Sequence, residues 1–123
     1  MNLAEERKAV ADLLNAGGVR AATHVPSDPK PPLAMVVPGS PYLAAADTFG
    51  GSRTLRLDVW LVAGTATNNA ALTDTLDARI AEAIAILDAD EWLLEDVQID
   101  QWEPASGGKF PVAILGIQTT ITS

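Results

Sequence analysis

From Arg53 to Ala63 the chain alternates strictly, with Leu55, Leu57, Val59 and Leu61 pointing one way and Arg56, Asp58 and Trp60 the other. A period of two over so long a run predicts a strand with one face in a core and the other largely charged. The period then lengthens. Leu72, Leu76, Ile80, Ala83, Ile84 and Leu87 recur at helical spacing, which predicts an amphipathic helix from Asn69 to Leu87 capped by Thr67, Asn68 or Asn69. An earlier helix carries Leu3, Val10, Leu13 and Leu14 on one face; Asn2 caps it, Glu5 stands at the third helical position, and Gly17-Gly18 stop it. Weaker strand signals cover Val19 to Val25 and Leu33 to Val37. From Trp92 to Trp102, Leu93, Val97 and Ile99 are placed on one face, with Asp96, Gln98 and Asp100 on the other. After a turn at Ser106-Gly107-Gly108, Phe110 to Ile121 forms a last strand, apolar on both faces near Val112 to Leu115 and therefore expected inside the sheet.

The element order predicts one α+β (α/β) domain over 1–123, with a mixed, mostly antiparallel sheet and both helices on one face. Its expected core contains Leu13, Leu55, Leu57, Val59, Leu76, Ile80, Ile84, Val97, Ile99 and Leu115. The strand–helix–strand unit from Arg53 to Trp102 is expected to cross over right-handedly if both strands share the sheet. Pro26-Ser27-Asp28-Pro29-Lys30-Pro31-Pro32 is read as a stiff loop that protects a sheet edge, because its prolines lack amide donors.

At 123 residues, 48% of them hydrophobic, the chain is large enough for one layered core. No apolar run reaches the roughly 20 residues of a membrane span. The opening residues do not read as a secretory signal. Without cysteine the chain forms no disulfide or thiolate metal site, which fits synthesis in the cytosol. The net charge of −8 is concentrated: residues 65–103 hold ten acids and one base, Arg79. So acidic a unit repels phosphate and argues against tight nucleic-acid binding. It is either a solvated face that maintains solubility or a surface that DNA passes without sticking.

Little here points to catalysis. His24 is the sole histidine, no Gly-x-Ser-x-Gly pattern accompanies it, and Ser40 falls in the proline turn Pro38-Gly39-Ser40-Pro41. Asp88-x-Asp90-Glu91 is a poor calcium loop, since Trp92 and Leu93 occupy ligand and turn positions. Gly64-Thr65-Ala66-Thr67-Asn68-Asn69 lacks the lysine and glycine spacing of a phosphate loop. The expectation is no enzyme activity, no cofactor and no metal.

Tyr42 and Phe49 stand out, because their surroundings from Pro38 to Gly51 are rich in alanine and glycine. They either anchor a partner or fold back onto their own sheet. Trp60 and Trp102 lie on the polar faces of their strands, which suggests a neighbour or a covered sheet face. The N-terminal helix, Pro31-Pro32, Pro38-Gly39-Ser40-Pro41-Tyr42, Asp47-Thr48-Phe49-Gly50, Leu61-Val62-Ala63-Gly64-Thr65 and the strand from Val112 to Thr120 together resemble the tail terminators of long-tailed siphoviruses, particularly those infecting actinobacteria. That resemblance covers nearly the whole chain. It implies a structural virion protein made in the host cytoplasm, without catalytic residues. Such a protein forms a ring, commonly hexameric, that caps the tail tube and ends its polymerisation. The ring contacts the tail-tube protein and the head-completion or connector protein, with DNA passing through its channel. The expected contact residues are Pro41, Tyr42, Leu43, Asp47, Thr48 and Phe49, with Arg53, Arg56 and Trp60 on the adjoining strand. The alternatives are a small non-enzymatic binding module, or a related head–tail connector or tail-tube subunit.

Overall fold

The structure, a computed structural model, describes residues 2–24, 33–45, 52–62, 69–90, 92–102 and 110–122. Helix α1 (Leu3–Ala16) starts where Asn2 accepts the Glu5 amide proton through Oδ1 at 3.2 Å, a cap worth about 1 kcal/mol. It ends as Gly17 donates to the Leu13 carbonyl and Gly18 turns left-handed at φ 92°. A side chain at Gly18 would be strained there. Strands β1 (Ala21–Ala22), β2 (Leu33–Ala45), β3 (Ser52–Val62), β4 (Leu93–Trp102) and β5 (Phe110–Thr122) form one sheet in the order β1-β2-β3-β5-β4, and helix α2 (Asn69–Asp88) joins β3 to β4. Only β1 and β2 run parallel as neighbours; the other pairs are antiparallel. The fold is thus α+β. β5 lies between β3 and β4, in the interior of the sheet as its two-sided apolar pattern predicts.

Both helices bury their stripes on the same sheet face. Val10, Ala11 and Leu14 of α1 and Leu76, Ala83 and Leu87 of α2 share one core with Leu55, Leu57, Val59 and Leu61 of β3 and Leu115 and Ile117 of β5. Leu13, Ile80 and Ile84, expected inside, are half-buried at its margin. Two core assignments are overturned: Val97 is 36% exposed and Ile99 63% exposed. They point to the helix side, but β4 is an edge strand and the cover over it is incomplete. A register irregularity between Leu94 and Asp96 also leaves Glu95 as an extra residue, so Leu93 falls on the face opposite Val97 and Ile99 rather than beside them.

β2 is longer than its apolar run suggests. Pro38 pairs with Leu57 and Leu43 with Leu55, so Gly39 to Tyr42 bulge out of a strand that continues to Ala45. Gly39 is required there, since a Cβ would lie 2.9 Å from the Arg56 backbone. β1 is shorter than expected, and Val25 to Pro32, like residues 63–68 and residues 103–109 with the expected turn at Ser106-Gly107-Gly108, lies outside the described residues.

Candidate interaction face

Because strand side chains alternate, burying Leu55, Leu57, Val59 and Leu61 beneath the helices turns Arg56, Asp58, Trp60 and Val62 to the opposite side. No helix packs on that side among the described residues. Its rows can be read directly from the strand registers. One runs Met35, Trp60, Ile114, Gln98; the next runs Val37, Asp58, Gly116, Asp96.

These rows divide the face into two halves. In the apolar half Leu33, Met35, Val62 and Val112 are buried, and Val37, Trp60, Trp102 and Ile114 pack half-buried against them. The polar half is organised by Gly116. A Cβ at that position would lie 2.7 Å from Asp96 Oδ1 and 4.0 Å from Asp58 Oδ1, so the glycine keeps open a cleft of about 260 Å³. Ser40, Arg56, Asp58, Glu95, Asp96 and Gln98 border it. The β4 bulge brings Glu95 to this side, where Oε1 accepts from Arg56 Nη2 at 3.0 Å. Both partners are partly exposed, so the pair contributes at most about 1 kcal/mol.

The Asp58 carboxyl is raised above its ordinary 3.8, first by burial and then by the negative charges of Asp96 and Glu95. Three carboxylates thus converge on the cleft with one guanidinium. Two donors on this face, Trp60 Nε1 and Arg56 Nε, are buried and reach no acceptor among the described residues. Among the described residues no three His, Asp or Glu side chains are placed so that they could hold one metal ion.

The expected contact residues do not form one patch. Arg56 and Trp60 lie on the open face, whereas Arg53, three residues from Arg56, falls on the helix side by alternation. Pro41 is exposed on the bulge. Tyr42 and Leu43 fold back, packing on the helix-side core, and the Tyr42 hydroxyl accepts from Arg7 Nη1 at 3.0 Å. For Tyr42 the fold-back alternative is therefore the observed one. Asp47, Thr48 and Phe49 lie outside the described residues. His24 is exposed.

Glu95, Asp96 and Gly116 were missed as site residues. An isolated glycine inside an apolar strand was the available signal, because it marks close approach by something else. No model of a known protein family matches the chain, and no curated protein matches it either. No helix among the described residues is long and apolar enough to cross a membrane.

Proposed function

We propose that this chain is a structural virion protein, a tail terminator that assembles into a ring through its open sheet face rather than through the folded-back Tyr42. The observation that supports the reading is that face itself: Trp60 and Ile114 are only half-buried beside a polar cleft, and the donors Trp60 Nε1 and Arg56 Nε find no acceptor among the described residues. A ring needs one patch to fit a different patch on the next copy, and a face with an apolar half and a charged half offers such asymmetry. The sequence resemblance to tail terminators supplies the biological setting: a hexameric ring that caps the tube, joins tail to head and lets DNA through. The acidic unit of α2 and β4 suits a surface along which DNA slides.

Phage complementation with the pair Arg56→Glu and Trp60→Ser tests the proposal. Tails of irregular length, or tails unattached to heads, are expected from a variant whose circular dichroism still shows the native fold, with part of its monomer stability lost with the Trp60 packing. Normal virions from that variant would remove the open face from the mechanism. A second reading, a small monomeric binding module, is favoured by the Arg7–Tyr42 hydrogen bond, which holds an expected contact residue within its own subunit. Native mass spectrometry in the presence of tail tubes separates the two: rings on tubes support the terminator, and a persistent monomer supports the module.

A further inference from the structure

The two ends of the sheet are finished differently. At β1 the side chain of Asn15 takes the place of a neighbouring strand: its Nδ2 donates to the Ala21 carbonyl at 3.2 Å, and its Oδ1 accepts from the Ala21 amide at 3.0 Å. At the other end β4 pairs with β5 from Leu93 to Trp102, and no described residue pairs with its outer edge from Leu93 to Gln101. A strand of this length with an unpaired edge is a template for another strand.

Its side chains state what that strand must carry. On the helix side Val97 and Ile99 are exposed, and on the open side Asp96, Gln98 and Asp100 are exposed. An added strand therefore needs apolar residues on one face and basic residues on the other. A second copy of β4 fits poorly. The antiparallel register that sets Val97 against Ile99 also sets Asp96 against Asp100 twice, and like charges directly opposite are destabilising. The bases of the chain's own long strands, Arg53 and Arg56, lie in β3, which is paired on both sides. Nucleic acid is disfavoured by the same carboxylates.

We propose that the outer edge of β4 takes up an extended basic segment of a different polypeptide, in which lysine or arginine alternates with apolar residues. Its backbone pairs with Leu93–Trp102, its apolar residues cover Val97 and Ile99, and its bases lie against Asp96 and Asp100. A base beside Asp96 also faces the cleft over Gly116, where the described residues give Asp58 and Asp96 no cation except Arg56, already bonded to Glu95. The proposal does not depend on ring formation.

The test uses the full chain, isotope-labelled, titrated at low salt with a short end-blocked peptide of alternating lysine and valine. Saturable amide shifts concentrated in Leu93–Trp102 are expected, with slowed amide exchange along that strand. The pair Asp96→Asn and Asp100→Asn should weaken the affinity about tenfold while leaving the rest of the spectrum unchanged. A glutamate–valine peptide should not bind. The lysine–valine peptide methylated on alternate backbone nitrogens distinguishes strand addition from charge attraction alone. Equal binding by the methylated peptide would overturn the proposal, as would shifts centred elsewhere or failure to saturate. Concentration-dependent pairing of β4 with itself in the absence of peptide would overturn it in favour of a second copy.

Discussion

Strands β3 and β4 carry much the same alternation of apolar and charged residues, yet their apolar faces meet different fates. In β3, Leu55, Leu57 and Val59 are completely buried; in β4, Val97 and Ile99 remain open to solvent. The difference comes from position. β3 is flanked by β2 and β5 and its apolar side chains share one buried core with residues of both helices, whereas β4 has one strand neighbour and lies at the sheet edge beside α2. Alternation thus reports which side of a strand faces the protein, and the neighbours decide how much is buried.

The contrast can be broken most forcefully at Leu57. Leu57→Ala leaves a cavity beneath the helices and should cost about 2–5 kcal/mol in chemical denaturation. A loss below about 1 kcal/mol would mean that β3 is not the centre of the core. Gly39→Ala comes next, at about 1–3 kcal/mol, because the new methyl group meets β3 backbone rather than a side chain that can move aside. Its effect should appear as loosened β2–β3 pairing in amide exchange. Ile99→Ala should cost about 1 kcal/mol or less by the same denaturation assay, since little surface returns to water. A cost matching that of Leu57→Ala would show that β4 is covered in solution.

The smallest effect concerns Asp58. A carboxyl whose folded pKa is raised binds its proton more tightly in the native state, so the native state gains stability as pH falls through that folded value and loses it as pH rises. Asp58→Asn should therefore stabilise the protein slightly at neutral pH and flatten the stability profile in the window above 3.8. Thermal melts across that window check both. A lower melting temperature at neutral pH would show that the charge of Asp58 is favourable where it stands.

What could be read in advance followed from local periodicity. The Asn2 cap, the glycine stop, the stripe of α2, the two-faced β3 and the interior place of β5 all depend on residues near one another in the chain. β2 was underestimated because Pro38 and Pro41 suggest a loop, while a bulge absorbs the residues that cannot join the ladder. The orientation of Leu93 was misread because one extra residue at Glu95 reverses the alternation. The cleft was invisible for another reason. Asp58, Gly116 and Asp96 come from three strands, and only their registers bring them into one row.

The Asn15 clasp on Ala21 narrows where the sheet can be extended. Fibre growth through sheet edges requires two open edges on every unit, one to receive a strand and one to offer the next site. Here a single side-chain amide occupies the outward backbone groups of Ala21, so the two-residue β1 offers no site of its own, whereas β2 beyond Met35 and the outer edge of β4 stay unpaired among the described residues. A lone asparagine thus removes one of the places where a foreign strand could lengthen the sheet, and leaves the others to be guarded by charge and by the bulges.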